Sequence, residues 1–237
     1  MYRTPDYDNY CNKCSLTTGK AVHSYCTKPF KEALLLIVSD YPSNLEESSN
    51  IPLTPSKDGC NGGKLLQVII NKVFDEDTLF PSTYKPFMDY VVLSNAIRCN
   101  PSKGKEIKDI SYKNISQCKT WLNIDISNLN PYTPILLSGS KAVSSILGKN
   151  EKVIKNKRKL HHLDTHPLLV VENFAQPARY VRRKVTNTYQ RRKDGILMPS
   201  KKGIEILSPT LLDPVWSLNQ DFILLKELVI KYINKYK

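Results

Sequence analysis

The sequence predicts an α/β protein with a doubly wound, three-layer arrangement and a mostly parallel sheet. Two observations predict this fold class. Four short apolar runs lack the alternation of a half-exposed strand, as expected for strands covered on both faces. Segments with helical spacing separate the runs, and strands that alternate with helices form parallel sheets with right-handed crossovers. The 237 residues, 41% of them hydrophobic, are enough for one such core.

Each apolar run is a predicted strand, and the segments between them contain the predicted helices. The first strand ends before Pro42, and the second ends at Ser94 and Asn95, where "VVLSNAIRCNP" becomes polar. We predict one domain over residues 1–237, with a basic insertion or arm at about 184–214. The predicted strands cover residues 33–38, 90–93, 134–139 and 167–174. The predicted helices cover 63–74, 114–129, 140–148 and 218–237, and the last ends in lysines, which favour a helix C-terminus.

The charge of the chain is strongly basic and unevenly distributed. A net charge of +13 and a pI near 9.4 make a polyanion the expected partner. Residues 150–203 contain 14 Lys and Arg against 4 Asp and Glu, although a solvated basic surface is the alternative explanation. There is no recognisable leader and no apolar stretch of about 18 residues, so we expect a cytoplasmic protein that does not contact membranes.

The six cysteines argue against a disulfide framework, because the chain has no recognisable secretion signal. Cys11 and Cys14 form a C-x-x-C pair in a polar segment with no strand before it, which favours metal or cluster ligation over redox chemistry. Cys99 follows the second predicted strand, and Cys118 lies on the next predicted helix. Two alternatives are a set of free thiols and a zinc site, the latter built from Cys11, Cys14, Cys26 and Cys60.

With "SNAIRCNP" at the end of the second strand and "QCKTWL" on the next helix, this layout resembles the iron–sulfur uracil-DNA glycosylases, often called family 4. The resemblance runs from about Tyr10 to the final helix and leaves 184–214 unmatched. It implies a uracil-DNA glycosylase-like fold. It also implies a structural 4Fe-4S cluster that ties the N-terminus to the loop after the second strand, with four ligands: Cys11, Cys14, Cys99 and Cys118.

The resemblance also implies roles for residues at the strand ends, where open parallel sheets bind their ligands. The segment "SDYPS" matches the family's "GExPG" loop at Asp40 and Pro42, with serines in place of both glycines. Asp40 would help to position the attacking water, and its alternative role is to cap a turn. Asn95 would read the flipped base, because an amide complements uracil O4 and N3–H.

Two further family motifs have only partial matches. The stacking phenylalanine of the family's "PF" motif corresponds to Leu53, so Tyr41 is the candidate for an aromatic contact. The family's "HPxxxxR" motif matches Gln176-Pro177 and Arg182 after the fourth strand. His166-Pro167 has the right letters but precedes that strand. A glutamine amide can donate to uracil O2 without carrying positive charge, and the histidines are expected at the surface: His161, His162 and His166.

Basic residues around and after the fourth strand are the predicted DNA contacts, through phosphates. Tyr180 and Tyr189 lie among them and could stack on bases or pack in the structure. The predicted DNA-binding residues are Lys157, Arg158, Lys159, Arg179, Arg182 and Arg183, with Lys155, Lys184 and residues 191–193 beside them.

Three functions follow from these observations. The first is an active glycosylase that hydrolyses the N-glycosidic bond of uracil, or of another deaminated base, in base-excision repair. The second is a glycosylase-like protein that binds single- or double-stranded DNA without catalysis, as an accessory in contact with replication proteins. The third is a cluster-bearing protein that binds RNA or a partner subunit. We expect a monomer, and the Lys-, Asn- and Ile-rich composition fits a virus or phage.

Overall fold

A computed structural model describes residues 11, 14–16, 21–57, 61–103, 106–107, 110–175, 189–191, 197–199 and 214–237. Its main sheet has five strands in the order β2-β1-β5-β7-β6. Neighbours among β2, β1, β5 and β7 are parallel, and β6 is antiparallel to β7. These strands are β1 (Leu35–Ser39), β2 (Val91–Asn95), β5 (Ile135–Ser138), β6 (Leu160–Leu163) and β7 (His166–Val171). Two small antiparallel pairs are β3 (Ser102–Lys103) with β4 (Glu106–Ile107), and β8 (Tyr189–Arg191) with β9 (Leu197–Pro199).

Six α-helices accompany these strands in the described ranges. Hydrogen-bonded caps begin several of them, including reciprocal boxes between Ser43 and Glu46 and between Ser111 and Asn114. A π-helical turn over Asn71–Asp75 continues α2. The helices are α1 (Asn44–Ser49), α2 (Gly62–Ile70), α3 (Tyr112–Ser127), α4 (Ser140–Ile146), α5 (Val153–Asn156) and α6 (Pro214–Tyr236).

Apolar side chains cover both faces of the sheet, which explains why the strands lack polar alternation. On one face, Leu35 and Ile37 pack in a cluster with α2 and α6. On the other, Leu36 and Val38 pack in a second cluster with α3 and α4. The α/β class and the mostly parallel sheet are therefore confirmed, and all four predicted strands are present.

The edge strand β6 was not predicted, and the environment of one histidine was predicted wrongly. His166 begins β7 and therefore lies at the amino ends of the parallel strands, whereas Asn95 lies at their carboxyl ends. This location was predicted from its position before the apolar run. It is buried rather than exposed. Its Nδ1 lies 2.9 Å from the Thr133 carbonyl oxygen, so this ring nitrogen has a hydrogen-bond partner although it is removed from water. His162 is exposed and His161 half-buried on β6. Within the described ranges, no helix has the length and apolar character of a membrane span.

Candidate active site and cysteine cavity

The strand order creates a crevice at one edge of the sheet. The chain leaves β1 to form β2 on one side of it and later returns to form β5 on the other side. The carboxyl ends of the strands at such a switch point are the usual ligand site of an open α/β sheet. A cavity of about 380 Å³ lies here and is lined in part by Asp40, Tyr41, Leu53 and Asn173.

Asp40, directly after β1, is held by three hydrogen-bond donors although it is only 8% exposed. Its Oδ1 accepts from the backbone N–H groups of Lys141 (2.7 Å) and Ala142 (3.1 Å) in α4. Its Oδ2 accepts from Asn173 Nδ2 at 2.9 Å. Burial raises the pKa of Asp40 above its ordinary value, and the three hydrogen bonds oppose that rise. Asp40 thus has a capping role, but it caps the distant helix α4 rather than a turn, and it also lines the cavity.

Gly139 makes room for this carboxylate. It lies between β5 and α4 with φ of +106°, where a side chain is strongly disfavoured. A Cβ added here would overlap both carboxylate oxygens of Asp40. The glycine therefore allows the end of β1 to approach the start of α4 closely.

Asn95 is a buried amide without hydrogen-bond partners among the described residues. It ends β2 and pairs in register with Ser39, which lines the cavity, although Asn95 itself does not line it. The residue is 2% exposed, and no described residue hydrogen-bonds to its Nδ2 or Oδ1. Each buried polar atom left without a partner costs about 1–3 kcal/mol. Such a cost at a strand end suggests a site that is completed by a ligand.

Leu53 lines the cavity, and its backbone is held by a hydrogen bond to Glu46, another lining residue. Its φ is +53°, which is unusual for leucine and is a form of backbone strain found at functional sites. Its N–H donates to Glu46 Oε1 at 2.6 Å, and a Cβ added to Gly63 would overlap its carbonyl oxygen. Tyr41 is 36% exposed, and Pro42 is buried beside it. The role of Glu46 was missed, although the Ser43-x-x-Glu46 spacing is a capping-box signal.

The four predicted ligand cysteines line a single cavity. Cys11, Cys14, Cys99 and Cys118 contribute to it together with apolar neighbours such as Trp121. The pKa of the Cys99 thiol is raised to about 12, chiefly by burial. The neighbouring thiols of Cys118, Cys11 and Cys14 add to this rise. Burial likewise raises the pKa of Cys118 to about 11. The four thiols are therefore close enough to influence each other electrostatically.

The cysteine cavity has the donor set of an iron–sulfur cluster, and the described residues contain no preformed site for a single metal ion. In the described part of the chain, no three His, Cys, Asp or Glu side chains converge on a position for one ion. A tetrahedral zinc site with Zn–S bonds of about 2.3 Å would hold its thiolates only about 3.8 Å apart. A cubane cluster binds each thiolate through a different iron and holds them further apart. The donor set, four thiols in an apolar setting, suits such a cluster.

Cys26 does not line this cavity. It packs against the cluster of apolar residues beneath α3 and α4, and its Sγ donates to the Asp89 carbonyl oxygen at 3.4 Å. Burial raises the pKa of Cys26 to about 11. The alternative zinc set therefore loses one of its members, and Cys60 lies outside the described residues.

A buried ion pair connects the end of β2 with the cysteine cavity. Arg98, 2% exposed, pairs with Asp125 in α3 at 2.6 Å, and the same carboxylate oxygen accepts from Ser94 Oγ at 3.0 Å. The Arg98 backbone N–H hydrogen-bonds to Cys118. Residues 94–99 are thus fixed between the sheet and α3. Sequence reasoning missed this pair because its members are 27 positions apart.

Two of the predicted DNA-binding residues form ion pairs within the protein. Lys157 pairs with Glu172 at 3.0 Å, and Arg158 Nε pairs with Asp221 in α6 at 2.6 Å. Lys159 is exposed. Their contact with DNA stays a prediction. Of the other predicted contacts, Lys155 is exposed, and Tyr189 and Arg191 lie in β8. The remaining ones lie outside the described residues, as does the aligned glutamine: Gln176, Arg179, Tyr180, Arg182, Arg183, Lys184, Arg192 and Lys193.

The chain matches no protein-family model and no curated protein sequence.

The contact between Gly139 and Asp40 gives a stability test with a built-in control. Gly148 also has a positive φ, +113°, but no atom of the described residues lies within 4 Å of the position of its Cβ. Both alanine variants therefore carry backbone strain of about 1–3 kcal/mol, and only Gly139→Ala also displaces the Asp40 carboxylate. In urea unfolding, we expect Gly139→Ala to lose at least about 1 kcal/mol more free energy of unfolding than Gly148→Ala. Equal losses would show that the close approach to Asp40 is unimportant.

Proposed function

We propose that this protein is an iron–sulfur uracil-DNA glycosylase-like enzyme, which hydrolyses the N-glycosidic bond of a flipped uracil or another deaminated base in DNA. The observation that carries the proposal is the unpartnered, buried amide of Asn95. It lies at the end of β2, in register with Ser39, and Ser39 lines the cavity at the switch point of the sheet. The proposed fold is accordingly a doubly wound, glycosylase-like one.

The chemistry of the amide supports base recognition. One Nδ2 group and one Oδ1 atom complement the adjacent carbonyl and N–H of uracil at O4 and N3. Cytosine presents an amino group and an unprotonated nitrogen there, so the same amide orientation leaves both pairings mismatched. An Asn95 amide in that orientation therefore favours the deaminated base.

Asp40 is suited to hold the attacking water. An ionised carboxylate offers about four acceptor positions, and three are filled by Lys141, Ala142 and Asn173. The remaining position, on Oδ2, can accept a hydrogen bond from water in the cavity. This role needs the ionised form, and burial raises the pKa of Asp40. Activity should therefore fall on the acid side at a higher pH than an exposed aspartate would give.

The departing base requires a donor to its O2 as negative charge develops. Gln176 follows Ala175, a cavity-lining residue, by one position and is the proposed donor. Its amide is neutral, so it stabilises the developing anion less than the imidazole of the family's histidine. Cys11, Cys14, Cys99 and Cys118 would hold the 4Fe-4S cluster, which supplies a rigid crosslink near Asn95.

A second candidate function is DNA binding without catalysis. It is favoured by the capping role of Asp40, which gives this carboxylate a structural reason to be present in the absence of chemistry. In this case the protein would recognise uracil-containing DNA or act as a replication or repair accessory. The exposed lysines near α5 and the basic residues after β7 would bind phosphates in either case.

Excision of uracil from a single-stranded oligonucleotide tests the proposed activity directly. We expect abasic sites, detected as alkaline cleavage, with the wild-type protein and at least about 10²-fold less with Asn95→Ala. Because Asn95→Ala removes two buried polar atoms that have no partner among the described residues, it should not lower the free energy of unfolding. Asn123→Ala, at an exposed position of α3, is the control and should keep full activity. Uracil excision that survives in Asn95→Ala would contradict the proposed base recognition.

Iron content and absorbance near 400 nm test the cluster independently of activity. We expect about four irons per chain in the wild-type protein. Cys99→Ser should lose both signals, because it removes a cavity-lining thiol, whereas Cys26→Ser should retain them. Equal retention in both variants, or stoichiometric zinc in the wild-type protein, would exclude the proposed cluster.

The alignment of Gln176 predicts a gain of function. A donor to a developing anion contributes about 10²–10³-fold to the rate, and an imidazolium is a stronger donor than an amide. We expect Gln176→His to raise the single-turnover rate of uracil excision by about 10-fold or more, measured with excess protein at neutral pH. Gln190→His is the control, and an equal response of both variants would contradict the alignment.

A further inference from the structure

We infer that Asn173 is a positioning residue, which orients the Asp40 carboxylate so that one acceptor position of Oδ2 faces the attacking water. The inference rests on the proposed function and adds a residue that neither the motifs nor their spacing identified. Asn173 lies just after β7, and Asp40 just after β1, 133 positions earlier in the chain.

The orientation of the Asn173 amide is fixed from both ends. Its Nδ2 donates to Asp40 Oδ2 at 2.9 Å, and its Oδ1 accepts from the Ala175 backbone N–H at 2.8 Å. Rotating the amide by half a turn would oppose an oxygen to the carboxylate and an NH₂ group to the backbone N–H. The pair of hydrogen bonds therefore selects one orientation, with the donor toward Asp40.

The backbone that carries Asn173 is rigid. Phe174 is buried against Phe222 of α6, with ring centroids 6.1 Å apart. The backbone N–H of Phe174 donates to Ser138 Oγ at 3.3 Å, and Ser138 Oγ in turn donates to the Glu172 carbonyl oxygen at 3.1 Å. The amide of Asn173 is thus held by the ends of two strands and by a helix. A group held in this way can position a carboxylate with little further loss of entropy.

Among the described residues, Asn173 is the only hydrogen-bond donor to Oδ2 of Asp40. The backbone donors of α4 both bind Oδ1. They fix the position of that oxygen, but they do not fix the rotation of the carboxylate that determines where Oδ2 lies. The hydrogen bond from Asn173 removes that freedom and leaves one position of Oδ2 for water. The charged and titratable groups near Asp40 are Lys141 on α4, which favours its ionised form, and two residues that line the same cavity, Tyr41 and Glu46.

Single-turnover excision of uracil as a function of pH tests this inference, with Asn173→Leu as the principal variant. We expect the maximal rate to fall about 10-fold or more. The acid limb should shift to higher pH, because loss of the hydrogen bond disfavours the ionised carboxylate. Affinity for uracil-free DNA should change less than twofold. An unchanged rate and acid limb, in a variant set where Asn95→Ala abolishes excision, would overturn the inference.

An exchange of the two side chains provides a second test that separates folding from positioning. Asp40→Asn alone opposes its NH₂ group to that of Asn173 and should lower the free energy of unfolding. Combining it with Asn173→Asp restores every hydrogen bond, with the roles of the two side chains exchanged. We expect the double variant to regain most of the lost stability and to remain inactive. Failure to regain stability would contradict the paired geometry.

The inference remains testable if the proposed function fails. If the wild-type protein excises no base, carbon-13 NMR titration of the Asp40 carboxyl carbon reports its pKa without any substrate. Asn173→Leu should raise that pKa, whereas Asn44→Leu, on the exposed start of α1, should leave it unchanged. A carboxyl pKa that is the same in wild-type protein and Asn173→Leu would show that Asn173 does not orient Asp40.

Discussion

The organisation of the candidate site depends on one buried carboxylate. Asp40 joins the end of β1 to the start of α4 and to the residue after β7, through three hydrogen bonds. A carboxylate that is removed from water loses much of its solvation and needs such donors to stay ionised. Gly139 provides the space for it, and Asn173 provides the third donor. The geometry of the cavity and the ionisation of Asp40 are therefore determined together.

The layered fold could be predicted because its central strands are buried on both faces. Runs such as 33–38 and 134–137 are continuous and apolar, and this pattern is independent of long-range contacts. The edge strand β6 has no such signal, since its residues alternate between half-buried and exposed and include two histidines. The burial of His166 could not be predicted either, because it depends on the Thr133 carbonyl oxygen on a preceding loop.

The residues of the candidate site likewise include some that could be predicted from the sequence and some that could not. Asn95 and the cysteines could be found because each follows or precedes a predicted element, and the cysteines lie together in one cavity. Asn173, the Glu46–Leu53 hydrogen bond and the Arg98–Asp125 pair have no local pattern beyond a capping box. Their partners are distant in the chain or depend on unusual backbone angles. Such residues hold the functional side chains in position, and a single sequence gives little indication of them.

The central proposal is that a flipped base provides the missing hydrogen-bond partners of the Asn95 amide. A crystal structure of the protein with single-stranded DNA tests it most directly, if the DNA contains a deoxyuridine analogue whose carbon–carbon glycosidic bond cannot be hydrolysed. The proposal predicts the analogue in the cavity beside Asp40, with its adjacent carbonyl and ring N–H hydrogen-bonded to the Asn95 amide. A bound strand whose base lies elsewhere, with the Asn95 amide still unpartnered, would contradict it.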